Sequence, residues 1–274
     1  MPEHGFQRRA APAIVALIVA SIVACGGHGG DDAASDSVGD SPEGVYGGTR
    51  VTAGSAGSEA RILLLEDGQL WALYGFGGSD GFKLQGFLHA KGVHRNGTYD
   101  ATDLIDYGIA APVTQSLTAN YDTSRWTWTG RYGNTTLNGV ELSSGLLDYH
   151  KAASLADVAG NWTLESYNNA GAPAEALTLA VSASGGITGS MAGGCPFSGK
   201  LTPRASGKNL FDATLTFASV ESCVFKGQTV DGMAITHLLA GQAGKRQLLL
   251  AGYAQAARTI GMGAFGVRNV AGTP

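Results

Sequence analysis

The sequence predicts an all-β protein: two tandem antiparallel meander lobes, each a small, roughly eight-stranded barrel or closed sandwich. Three observations predict it. Charged residues make up only 15% of the chain while glycine reaches 42 residues, a mix that suits turns and strands and disfavours long helices. Apolar residues alternate with period two: Leu177, Leu179 and Val181 with Thr178, Ala180 and Ser182; Phe211, Ala213, Leu215 and Phe217 with Leu210, Asp212, Thr214 and Thr216; Trp126 and Trp128 with Thr127 and Thr129. Such alternation describes a strand with one face inward. Finally, the pattern is written twice. GVY (Gly44 to Tyr46) recurs as GNW (Gly160 to Trp162), and TYDAT (Thr98 to Thr102) as LFDAT (Leu210 to Thr214). LLLEDGQLWALYG from Leu63 matches TLAVSASGGITGS from Thr178 in plan, and GFLHAKG matches GKLTPRASG. The offset stays at about 112–117 residues, so whole lobes are repeated, not a solenoid unit.

Taken in chain order, residues 1–24 read as a lipoprotein signal peptide. Arg8 and Arg9 form a positive start, Ala10 to Val23 a short apolar core, and Ala24 the small residue before a thiol. Ile22-Val23-Ala24-Cys25 resembles a bacterial lipobox, whose cysteine is lipidated. Residues 25–42 form a disordered tether, carrying Asp31, Asp32, Asp36 and Asp40 among Gly, Ala and Ser. Its flexible-chain reach is about 20–25 Å. Gly26, where an aspartate would retain the protein at the inner membrane, favours the outer one.

The N-terminal β lobe spans residues 43–150 and the C-terminal β lobe residues 154–270, each a separable folding unit in expectation. Turn signals separate the strands: Glu66-Asp67-Gly68, Arg95-Asn96-Gly97, Ser184-Gly185-Gly186, Ala205 to Lys208 and Gly241 to Gly244. Eight antiparallel strands favour closure, which removes exposed edges. Between the lobes, SLADVAGNW predicts one helical turn, with Ser154 as its cap and Leu155 and Val158 packing inward. Lipidation of Cys25 leaves Cys195 and Cys223, a pair that reads as a disulfide in an oxidising envelope. It would staple the hairpin that turns near Ser206-Gly207.

SPEGVYGGT, LLLEDGQLWALYG, SLADVAGNW, GCPFSGKLTPRASGKNLFDATLTF and RQLLLAG together resemble a group of proteobacterial lipoproteins with two lipocalin-like β lobes. The resemblance runs from about Ser41 to Arg268 and implies fold and anchoring, with no activity attached. GNWT…LTLAVSASGGITGS is also faintly similar to the first hairpin of avidins, but the biotin-ring residues do not map as a set.

Motifs that suggest chemistry lack its context. Gly77-Gly78-Ser79-Asp80-Gly81 fits G-x-S-x-G but lies between strands, not at a strand–turn–helix elbow. Gly261 to Gly266 fits G-x-G-x-x-G with no helix to follow, and reads as a glycine-rich closing strand. His89 and His94 point to opposite faces of one strand, which makes them poor joint metal ligands. Asp100 and Asp212, at equivalent repeat positions, read as solvent-facing rather than catalytic. Trp71, Trp126, Trp128 and Trp162 read as core.

The whole chain has 18 Lys+Arg against 22 Asp+Glu. Removing Arg8, Arg9 and Glu3 with the signal peptide leaves 16 against 21, so nucleic acid is not an expected partner. The expectation is a non-enzymatic cell-envelope lipoprotein, a binding or structural module on the outer membrane, held through Cys25 and stapled by Cys195–Cys223. No catalytic, metal or cofactor-binding residue is expected. A carrier of a small apolar ligand or lipid within a barrel is the first alternative, and a protein inhibitor of a foreign enzyme the second.

Overall fold

The computed structural model describes residues 41–142, 147–171 and 174–270. Two antiparallel barrels account for nearly all of them, each closed by its first and last strands. The signal peptide, Cys25 and most of the tether lie outside the described residues.

The first barrel runs β1 (Gly44–Thr52), β2 (Ser58–Leu64), β3 (Gln69–Phe76), β4 (Lys83–Arg95), β5 (Thr98–Asp106), β6 (Gln115–Asp122), β7 (Thr127–Tyr132) and β8 (Thr135–Glu141). A four-residue helix, α1 (Leu155–Val158), precedes the second. Ser154 occupies its N-cap position, but its side chain makes no capping hydrogen bond; Val158 is buried. The second barrel runs β9 (Gly160–Asn168), β10 (Glu175–Val181), β11 (Gly186–Met191), β12 (Cys195–Pro203), β13 (Phe211–Phe217), β14 (Thr229–Leu238), β15 (Lys245–Ala254) and β16 (Gly261–Asn269). The repeat landmarks fall on equivalent strands: GVY and GNW open β1 and β9, and TYDAT and LFDAT mark β5 and β13.

The rings close differently. β1 meets β8 from Tyr46↔Glu141 to Thr52↔Thr135, whereas β16 meets β9 only from Met262↔Asn168 to Phe265↔Glu165. Beyond Phe265, β16 stays paired with β15 but leaves β9. Arg268 spans the gap. Its guanidinium donates to the carbonyls of Ala159 (2.6 Å) and Asp157 (3.2 Å) and lies 4.0 Å from the centroid of the Trp162 ring.

Alternation puts one set of side chains inside each ring. Tyr46, Ile62, Leu70, Tyr99, Leu117 and Trp128 fill the first. Gly130 is the next inward position after Trp128; a Cβ there would lie 2.2 Å from the indole, so glycine lets the ring lie flat on the inner wall. Trp162, Leu179, Phe197, Leu215, Phe217 and Phe225 fill the second. Cys195 and Cys223 are disulfide-bonded, tying the start of β12 to the β13–β14 connection.

A third buried cluster belongs to neither interior. Outward-facing Leu63, Trp71, Leu73, Phe87, Ile105 and Tyr107 of the first barrel pack against Met233, Ile235, Leu249, Ala251 and Phe265 of the second. Apolar side chains removed from water on both faces explain why β2, β3 and β15 read as continuous apolar runs (RILLL, QLWALYG, QLLLAG).

Candidate functional site

Two groups of polar and aromatic side chains stand out from the apolar packing. The first lies inside the mouth of barrel one. A register shift between Ala101 and Leu104 inverts the parity of β5, so Tyr99 and Ala101 point inward before it and Leu104 and Asp106 after it. Asp106, 1% exposed, accepts from Tyr74 Oη (2.5 Å), Arg50 Nη2 (2.7 Å), Gly108 N (2.9 Å) and Tyr132 Oη (3.2 Å). Arg50 Nε donates to Tyr132 Oη at 2.8 Å, and its guanidinium lies 4.2 Å from the Tyr74 centroid. Burial pushes the Tyr74 and Tyr132 phenols far up, with the Asp106 charge adding to it, so both remain donors at neutral pH. Burial opposes the charge on Arg50, but Tyr132, Tyr74 and Asp106 more than offset it and hold the group up. The set is closed and mutually satisfied. Its bonds tie β1, β3, β5 and β7 together at the mouth.

The second group is the seam itself. Trp71 stacks between Phe87 and Tyr253 (5.9 Å to each) and touches His89 (4.3 Å); Tyr107 stacks on Phe87 (4.4 Å). His89 Nε2 lies 3.2 Å from Gln69 Oε1, and its Nδ1 lies 3.2 Å from Arg258 Nη2 of the second barrel. Burial, reinforced by Arg258, pushes the imidazole down to about 3, so His89 is neutral. Polar bonds stitch the rim of the seam. Arg258 pairs with Asp103 (2.9 Å), Arg204 with Glu66 (2.6 Å) and Asp67 (2.8 Å), and Lys208 with Glu43 (2.7 Å). Gln247, 1% exposed, accepts from Phe82 N (2.9 Å) and donates to Phe82 O (2.7 Å).

That last contact pins the β3–β4 loop, Gly77 to Phe82, against the second barrel, and two concavities flank it. One of about 510 Å³ lies between Asp80 and Lys83 on the loop side and Glu165, Glu175, Phe265 and Val267 opposite. Another of about 340 Å³ lies between the loop, Arg61 of β2 and His237 of β14. The G-x-S-x-G stretch is therefore this loop, and Gln242 donates to its Ser79 carbonyl.

The other residues singled out in the sequence are dispersed. His89 lies in the seam, while His94 packs edge-on against the inward-facing Tyr121 (6.4 Å). Asp100 and Asp212 are exposed, the latter paired with Arg204 at 2.8 Å. Trp128 and Trp162 are interior and Trp71 lies in the seam, but Trp126 departs from expectation. It occupies the β6–β7 turn with φ of 51° and is 36% exposed. Gly261 to Gly266 belong to β16, which closes the second ring. Among the described residues, no group of three His, Cys, Asp or Glu side chains gathers where it could hold a metal ion.

Sequence reasoning missed Arg50, Asp106 and His237. The first two are 56 positions apart, and their meeting depends on strand closure and a bulge that no local signal announces.

No protein-family model and no curated protein matches this chain. Among solved structures it is similar to a protein of unknown function from the DUF3598 family of Nostoc punctiforme. That match has a TM-score of 0.30 and 10% identity over 83% of this chain and 96% of the other.

Proposed function

We propose that this chain is a cell-envelope lipoprotein, anchored in the outer membrane through Cys25, that acts as a non-enzymatic binding or structural module. The observation that carries the reading is where room exists. Both barrel interiors are packed with the chain's own aromatic side chains, while concavities lie outside them, two of them against the loop Gly77 to Phe82 at the barrel junction and another on the outer face of β9 to β11. A rigid body whose solvent-reachable hollows are external suits docking, and it speaks against an apolar ligand carried inside a barrel. The lipobox-like Ile22 to Cys25 and the Cys195–Cys223 disulfide suit an oxidising envelope. Cell fractionation tests the anchor: Cys25→Ser should move the protein into the soluble fraction, and a variant that stays with the membrane refutes it. Native mass spectrometry of the full chain, released from its own membrane in mild detergent, tests the module by looking for a bound companion.

One observation favours the inhibitor as a second reading. The β5–β6 connection exposes an apolar stretch, with Ile109 42% and Val113 63% exposed, and such a loop suits insertion into a foreign cleft. If the inhibitor reading holds, deleting that loop abolishes capture of an enzyme partner.

A further inference from the structure

The barrel seam ends in a polar hollow. Leu63 of β2 and Ile235 of β14 are within the apolar cluster, but the next outward positions are Arg61 and His237, which line the cavity of about 340 Å³. We propose that this cavity binds a small carboxylate-bearing molecule that also carries a hydrogen-bond donor, such as an amino or hydroxy acid. Arg61 and His237 take the carboxylate, and Glu59 takes the donor. The proposal deepens the binding-module reading and rests on it.

Each wall contributes a group with capacity to spare. Arg61 lies 5.1 Å from the Phe82 centroid, which orients its planar fork. Its protein partners are distant ones, the Ala60 carbonyl at 3.2 Å and Glu59 Oε2 at 3.4 Å. A carboxylate would meet that fork with shorter, charge-assisted bonds. His237 comes from the other barrel, and its buried Nδ1 has no hydrogen-bond partner among the described residues. That atom is closed to solvent, so a ligand in the cavity meets His237 through the part of the side chain that lines it. Burial, then the charges of Arg61 and Arg246, push this histidine down to about 4, so it meets a ligand as a neutral hydrogen-bonding group.

Glu59 decides the class of ligand. Its carboxylate lies against the third wall, where a Cβ on Gly77 would stand 2.4 Å from Oε2, so the glycine makes its room. A simple anion would leave Glu59 repelled and a multiply charged phosphate more so, whereas an ammonium or hydroxyl satisfies it. The volume lies at the small end of the roughly 300–1,000 Å³ typical of ligand pockets. Because the walls belong to both barrels, such a ligand would clamp the seam.

Calorimetric titration of the full chain in mild detergent with glycine, lactate, acetate and inorganic phosphate tests the proposal. Glycine or lactate should bind, acetate more weakly, and Arg61→Gln should cost about tenfold or more in affinity. Glu59→Gln should close the gap between glycine and acetate. Melting curves establish that both variants are folded. The proposal is overturned if none of the four probes binds, if phosphate binds best, or if folded Arg61→Gln binds as the parent does. Arg61→Gln leaves Cys25 untouched, so fractionation reports on the anchor separately.

Discussion

The two barrels share strand number, order and landmarks, yet they are stabilised by different means. Barrel one closes over a long ladder and encloses a charged pair, Arg50–Asp106, satisfied by Tyr74 and Tyr132. Barrel two closes over four residue pairs, has a largely apolar interior, and adds a disulfide and the Arg268–Trp162 contact where its ladder is short. One meander plan therefore fixes topology, while the source of rigidity is free to differ: a polar network in one copy, covalent and cation–π closure in the other.

Separating the barrels should have the largest effect. Each ring is complete in its own pairs, but residues 41–153 alone would expose Trp71, Leu73, Phe87 and Tyr107, and residues 154–274 alone Met233, Ile235 and Leu249. The isolated fragments should show β circular dichroism but self-associate, and mixing should restore a soluble one-to-one pair by analytical ultracentrifugation. Fragments that stay monomeric would show the seam to be weak. Next comes Asp106→Ala, which leaves Arg50 without its buried partner and should cost about 3–5 kcal/mol by denaturant unfolding. A loss below 1 kcal/mol, on the order of an exposed pair, would mean the mouth is solvated.

Breaking the disulfide with paired Cys195→Ala and Cys223→Ala should remove about 3–4 kcal/mol, the loop-closure value for a separation of 28 residues. If the barrels unfold as one cooperative body, tryptophan signals from both will shift together; a shift confined to barrel two would break that reading. Acid should act on the seam. Unfolded histidine binds its proton near 6.5, but folded His89 and His237 do so only at about 3 and about 4. The unfolded state therefore takes up more protons, and stability falls as pH drops from 6.5 toward 4, by about 1.4 kcal/mol per pH unit for each fully coupled group. His89→Gln should flatten that slope; an unchanged slope would place the coupling elsewhere. The smallest effect expected is from Arg268→Ala, about 1–2 kcal/mol, with faster amide exchange in β9 near Trp162.

The fold was legible because alternation is local. The inward residues of β10 and β13 can be named from spacing alone, and the repeat pairs β4 with β12 and β5 with β13. The seam was half-legible: LLL, LWALYG and GFLHA are too apolar for strands with one wet face, but nothing local says what covers the second face. The polar mouth was not legible. Continued alternation from Tyr99 and Ala101 would send Ile105 and Tyr107 inward and Asp106 out, and the bulge reverses this. The junction pocket failed for a related reason, since Arg61 and His237 come from different barrels.

The seam joins unlike surfaces. Barrel one contributes the outer wall of β1 to β5, while barrel two contributes mainly β14 to β16, the counterparts of β6 to β8, with Leu210 just ahead of β13. Contacts of this head-to-tail kind have no internal stop, and copies can add indefinitely unless the free ends differ. Here they differ. The unused wall of barrel one presents Thr118, Asn120, Thr129, Arg131 and Asn138, and that of barrel two presents Thr178, Thr188, Ser198, Lys200 and Thr214, all exposed. Polar side chains on these free walls disfavour the addition of a further barrel at either end.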